Sequence, residues 1–172
     1  SKGIILYADA ARILQKKNYR VRFELLGFFE DHHPDSISQD DINRWQKEKL
    51  IEYKGYARDV RPFLAAADCF VFPSFYNEGV PRCLIEAAAM QLPVIPSAAK
   101  GCRDVVLHNQ SGYLSKVHDP IDLADKMEKM INFPPVTREK MGVAGRNYVV
   151  EKFDMQRIIE EYFATLNIGP TD

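Results

Sequence analysis

One stretch constrains the fold more than any other: Phe70 to Met90, FVFPSFYNEGVPRCLIEAAAM. Phe70-Val71-Phe72 is a short run of β-formers closed by Pro73 and Ser74, and it reads as a strand buried on both faces. Ser74 to Val80 holds the turn-tolerant Asn77 and Gly79. Pro81 suits the first position of a helix, where a missing N–H costs nothing. Beyond it Leu84, Ala87 and Ala88 recur at helical spacing, and Ala89 and Met90 complete an apolar face. Strand, loop and helix in that order place the loop at the carboxyl edge of an open α/β sheet, where such sheets bind ligands.

The rest of the chain supplies that sheet. The patterning predicts helices over Gly3–Lys17, Asp41–Lys49 and Arg61–Ala67, then over about Pro120–Ile131, Arg138–Lys152 and Met155–Leu166. It predicts strands at Val21–Gly27, Ile51–Lys54, Phe70–Phe72, Val94–Pro96 and Tyr113–Ser115, and a long polar loop over Asp31–Asp41. Strands alternating with helices imply a doubly wound, mainly parallel, Rossmann-like sheet in one domain. At 172 residues and 46% hydrophobic, the chain can bury one good core. A formal net charge of −1 with no basic stripe argues against nucleic-acid binding.

The chemistry concentrates at the start of the Pro81 helix. A helix N-terminus offers free N–H groups and a positive dipole end, which together seat a phosphate. The N–H groups of Arg82 and Cys83 are the nearest donors. Glu86, one turn in, carries two acceptor oxygens that match the cis-diol of a ribose. Glu78 precedes the helix, so that two carboxylates on a Glu-x7-Glu spacing bracket the phosphate seat. A Glu in a first helical turn also serves simply to complement the dipole, and a loop Glu is often a solvated charge. The residues alone leave both readings standing.

Other features weigh less. Cys69, Cys83 and Cys102 form no Cys-x-x-Cys pair, suit a reducing compartment and suggest no zinc site. His32-His33 is a tempting metal pair, but adjacent side chains diverge and no further ligand cluster is evident. No Asp-x-Asp metal motif occurs. Asn109-Gln110-Ser111-Gly112 fits a glycosylation acceptor and reads better as a turn.

These segments together resemble the donor-binding half of the retaining glycosyltransferases of family 4, which have the two-lobed GT-B fold. YKGYARDVRPFLAAADCFVFPS resembles the family's strand, base-binding loop and following helix, GVPRCLIEAAAMQLPVIPS its donor helix and next strand, and GCRDVVLHNQSGYL its following turn and hairpin. DPIDLADKMEKMI and REKMGVAGRNYVVEKFD resemble its closing helices. The wording PRCLIEAAAM and GCRD is closest to bacterial transferases that build surface polysaccharide, lipopolysaccharide or capsule on lipid carriers. The resemblance implies a hexosyltransferase that moves a sugar, with retention, from a UDP- or GDP-type nucleoside-diphosphate sugar to a glycan or polyprenyl-linked acceptor, with no metal or other cofactor.

The resemblance also implies roles. Lys2, Gly79, Val80, Pro81, Arg82 and Cys83 would hold the diphosphate and donor sugar, Glu86 the ribose, and Tyr56, Ala57 and Arg58 the base. Glu78 would act at the transferred sugar, binding its hydroxyls and supporting the transition state. Tyr56 reads equally as ordinary loop packing, and Arg58-Asp59 as a surface ion pair. Lys2-Gly3 matches the end of a family pattern like Arg-x4-Lys-Gly whose Arg would lie upstream, together with an amino-terminal acceptor domain. The chain would then be the carboxy-terminal half of a longer enzyme, inactive alone and cytoplasmic, with peripheral attachment at the inner membrane face where the acceptor is lipid-linked. Gly101-Cys102-Arg103-Asp104 would face the cleft between the two lobes, with Asp104 where the family commonly has Glu. Gln91 stands where the family usually has Gly at the end of the donor helix. Two alternatives remain: a nucleotide-sugar 2-epimerase of the same architecture, and a non-catalytic nucleotide-binding or interaction module.

Overall fold

The computed structural model of the chain describes residues 2–28, 37–76 and 79–166. His32, His33 and Glu78 lie outside the described residues. The elements run α1 (Ile4–Gln15), β1 (Glu24–Leu25), α2 (Gln39–Lys47), β2 (Glu52–Tyr53), α3 (Arg61–Ala65), β3 (Phe70–Phe72), α4 (Arg82–Ala89), β4 (Val94–Pro96), a 3₁₀ turn (Cys102–Val105), α5 (Pro120–Asn132), α6 (Pro135–Phe153) and α7 (Met155–Leu166). This is an α/β fold with parallel pairing throughout its named strands: β1 with β2, and β3 with β4.

Local chemistry sets several boundaries. Ser38 and Asp41 form a reciprocal capping box, so α2 begins at Gln39, ahead of the Asp41 start read from the sequence. Asp119 accepts from the N–H groups of Ile121 and Asp122 and starts α5 at Pro120. Pro135 opens α6 three residues before the expected Arg138, because a proline fits a first helical turn.

Two clusters form the core. In the first, Ala8, Ala11 and Leu14 of α1 pack with Leu123, Ala124 and Met127 of α5, beside Phe23 and Trp45. In the second, Leu84, Ala87 and Ala88 of α4 pack with Val94, Cys102 and Val149. Gly142 brings α6 onto the end of α4: a Cβ there would lie 1.8 Å from the carbonyl oxygen of Gln91. The expected strand at Tyr113–Ser115 appears as bridges from Gly112 to Val94 and from Ser115 to Ser97, with Tyr113 and Ser115 donating to the carbonyls of Val94 and Pro96. Asn109 adopts a left-handed φ of 67°, as the turn reading requires.

The sheet departs from the expectation in one respect. β1–β2 and β3–β4 are separate two-stranded sheets, and a cavity of about 1240 Å³ lies between β1 and β3. Val21 to Phe28 lines one wall and Cys69 to Pro73 the other. For that reason Phe70, Val71 and Phe72 are half-buried instead of covered on both faces. The apolar run Val21–Gly27 likewise pairs as a ladder only at Glu24–Leu25. Cys69 also lines this cavity, and its buried thiol is pushed up to about 12. No helix among the described residues is long and apolar enough to cross a membrane.

Candidate functional site

β3 delivers the chain to the carboxyl edge, and α4 starts there. Pro81 is the N-cap of α4, not its first helical residue, and adopts an extended ψ of 123°. Its carbonyl accepts from Leu84 at 3.1 Å and Ile85 at 3.4 Å. The N-cap offers no side-chain cap, and the Arg82 N–H meets no backbone or capping partner among the described residues, while the Cys83 and Leu84 N–H groups lie toward the Cys83 sulfur and favour its thiolate. A helix start without a side-chain cap is where backbone donors are available to an anion.

Lys2, Gly79, Val80, Pro81, Arg82, Cys83 and Glu86 all line the same cavity. Residues far apart in sequence are thus gathered around one helix start. The Lys2 ammonium lies 5.8 Å from the Phe72 ring centroid and favours ionisation of the Cys83 thiol beside it. Burial nevertheless dominates and pushes that thiol up to about 11. Cys83 is therefore a neutral wall of the site at physiological pH, not a nucleophile. Lys2 is placed by Gly3, whose left-handed φ of 75° and missing Cβ let α1 start against the Pro73 carbonyl.

Glu86 leans back toward the helix start, as helical side chains do. Its carboxylate lies 3.6 Å from the Arg82 guanidinium, with 44% of its side chain exposed. It therefore presents solvated acceptors one turn from the helix start.

The expected base-binding residues sit elsewhere on the same edge. Tyr56, Ala57 and Arg58 follow β2 and do not line the cavity. Asp59 pairs with Arg61, not with Arg58, at 2.9 Å. Tyr56 instead contacts Phe28, a residue the sequence pattern did not single out. Gly101–Asp104 does not line this cavity. Cys102 is fully buried in the second core cluster, and the Asp104 carbonyl accepts from the Tyr148 hydroxyl at 3.1 Å. No grouping of three or more His, Cys, Asp or Glu side chains placed to hold a metal occurs among the described residues.

Comparison with known proteins bears on this arrangement. Residues 1–132 match the family Glycosyl transferases group 1. The chain belongs to this family. It is 31% identical over 166 residues to the capsular polysaccharide biosynthesis glycosyltransferase CapM of Staphylococcus aureus, covering 96% of this chain and 43% of CapM. It is 28% identical to the putative colanic acid biosynthesis glycosyltransferase WcaL of Salmonella typhimurium, covering 91% and 40%. The chain thus spans less than half the length of these relatives.

Among solved structures, TarM superposes with a TM-score of 0.82 at 28% identity, covering 97% of this chain and 32% of TarM. A mutant of S. aureus TarM has been solved with fondaparinux, alpha-GlcNAc-glycerol and UDP. The C-terminal domain of LpcC, a glycosyl transferase group 1 family protein of Francisella tularensis, shares the fold at 23% identity with a TM-score of 0.76, over 90% of this chain and 81% of that one. This group 1 glycosyltransferase domain has the fold of a GT-B carboxy-terminal lobe and is related to enzymes of bacterial polysaccharide biosynthesis.

Proposed function

We propose that the chain is the donor-binding lobe of a retaining hexosyltransferase. The enzyme would move a sugar from a nucleoside-diphosphate sugar of UDP or GDP type to a glycan or polyprenyl-linked acceptor in bacterial polysaccharide assembly. The observation that carries this reading is the start of α4, without a side-chain cap, in a cavity that Lys2, Arg82, Cys83 and Glu86 line together.

The chemistry follows from charge. As the sugar leaves, negative charge grows on the diphosphate. The N-terminal end of α4 carries about half a positive charge, and Lys2 adds a full one at the same cavity. Fixed donors aimed at that charge stabilise departure without a metal ion. Glu86 takes the ribose diol. Glu78, in the loop ahead of α4, takes the hydroxyls of the transferred sugar and supports the cationic character that develops at its anomeric carbon. Tyr56, Ala57 and Arg58 belong to the nucleotide end. Product analysis of the intact enzyme with a UDP-sugar and a polyprenyl-linked acceptor tests the reading. A new glycosidic bond of retained configuration is expected, and an isomerised donor or an untouched one contradicts it.

The two-sheet arrangement supports the further proposal that the chain is the carboxy-terminal lobe of a longer polypeptide. β2 engages the backbone of Phe23, Leu25 and Gly27, which leaves the N–H and C=O groups of Arg22, Glu24 and Leu26 directed away from it. β4 engages Phe70 and Phe72, which leaves Val71 directed the other way. The two free edges border one apolar slot, and Lys2 lines it at the start of α1. A parallel strand seated there and leading into α1 completes a right-handed crossover to β1.

A further inference from the structure

His118 is an exposed residue in the left-handed region, at φ 58°, a conformation that costs any side chain with a Cβ. Its ring lies against Phe75, with centroids 4.2 Å apart and planes tilted by 45°. Both partners are tied down from behind. On the His118 side, the Lys116 N–H donates to the Asp122 carboxylate at 2.8 Å and Asp119 caps α5, so the start of that helix holds the residues around the ring. Ser115 bridges to Ser97 in parallel, and the Ala98 N–H donates to the Ser115 carbonyl at 2.8 Å. On the Phe75 side, Ser74 is fully buried and its carbonyl accepts from the Ser97 hydroxyl. Tyr76 follows, its ring centroid 6.0 Å from that of Phe75, and lines the cavity that Lys2, Arg82, Cys83 and Glu86 share.

We infer that His118 is a positioning residue for this cavity: its ring clamps Phe75 and thereby holds Tyr76 in the cavity wall before a ligand arrives. The inference rests on the donor reading above. His118 does not itself line the cavity, so it acts through Phe75. Glycine takes a left-handed φ without cost, so the turn alone does not call for an imidazole; the contact with Phe75 does. Strained backbone persists where its surroundings over-determine it, and the Asp119 cap and the Asp122 hydrogen bond do so here. A wall fixed in advance lowers the ordering cost of binding. Without the His118 ring, that cost falls on the ligand, which must order Phe75 and Tyr76 as it docks.

The test is calorimetry with UDP and GDP on the wild-type chain, on its His118→Asn, Phe75→Leu and Phe75→Tyr variants, and on the double variant of the first two. Asparagine keeps the tolerance for a left-handed φ and removes the ring. His118→Asn and Phe75→Leu are each expected to raise the Kd of the nucleotide that the wild type binds about fivefold, the ~1 kcal/mol of one aromatic contact. The double variant is expected to lose no more than either alone, because the two rings act as one unit. Phe75→Tyr keeps a ring and is expected to bind like wild type. In NMR spectra of the free chain, the Tyr76 ring signals are expected to move toward random-coil positions in both single variants while those of Leu84 and Ala88 in α4 stay put. An unchanged Kd in His118→Asn, or additive losses in the double variant, overturns the inference and leaves the donor reading standing. Displacement of the Leu84 and Ala88 signals along with Tyr76 identifies a merely structural role and overturns it too. A wild-type chain that binds neither nucleotide overturns the donor reading and this inference with it.

Discussion

Replacing Glu86 by Ala separates ribose recognition from everything else α4 does. In the free protein the carboxylate faces Arg82 at 3.6 Å, and the Arg82 side chain is 92% exposed. Such an i,i+4 surface pair is worth only about 0.3–0.5 kcal/mol. Against that small cost, hydrogen bonds from a ribose to a charged acceptor contribute about 1.5–3 kcal/mol. The difference is about 1–2.5 kcal/mol, and each 1.4 kcal/mol is tenfold, so the Kd for UDP should rise roughly five- to sixtyfold. Glu86→Gln keeps one acceptor oxygen and should fall between. Pyrophosphate has no ribose, and removing a nearby anion should leave its affinity unchanged or raise it. Isothermal titration reads both ligands, and thermal unfolding should move little because the side chain is exposed. A UDP affinity within twofold of wild type, or an equal loss for pyrophosphate, refutes the assignment.

Three other outcomes follow from the same structure. Gln91 occupies the left-handed position of a Schellman cap at φ 62°, with Leu92 donating to the Ala87 carbonyl and Gln91 to that of Ala88. Relief of about 1–2 kcal/mol of backbone strain, less the ~0.5–1 kcal/mol entropy cost of glycine, makes Gln91→Gly more stable by about 0.5–1 kcal/mol, or about 1–4 °C in Tm; a lower Tm contradicts this. Burial pushes the Asp122 carboxyl up, but the Lys116 N–H at 2.8 Å and Lys126 at 3.2 Å outweigh it and hold it below the usual range. Its contribution is therefore complete above the unfolded value of about 3.9 and lost as pH falls through the folded value. Asp122→Asn should cost about 1–2 kcal/mol in urea melts at pH 7, and the gap to wild type should close in acid; a gap independent of pH contradicts it. For the slot between the sheets, a Val/Ile-rich peptide of about six residues should protect the amides of Glu24 and Val71 from hydrogen exchange, and an N-methylated copy should not. Protection by both peptides, or by neither, removes the strand proposal.

The sequence made the start of α4 legible because its signals are local. Proline, a following helical period and a Glu one turn in are read within a dozen residues, and the structure shifts only the helix start, by one position at Pro81. It made the strands less legible. Val21–Gly27 has the composition of a buried strand, but composition reports burial, not pairing, and only Glu24–Leu25 finds a ladder beside the slot. The burial of Cys102 was illegible for a related reason: it packs beneath α6, a contact no short motif encodes. The contact between Phe28 and Tyr56 was illegible because the two rings meet only once β1 and β2 pair. Each aromatic alone looks like loop packing.

Backbone amide chemical shifts during a UDP titration of the labelled chain bear most directly on the α4 phosphate seat. The account predicts that the N–H signals of Arg82 and Cys83 move furthest downfield as the diphosphate docks, with the same two responding to pyrophosphate. Saturable UDP binding that leaves both amides unmoved would place the phosphates elsewhere and contradict it.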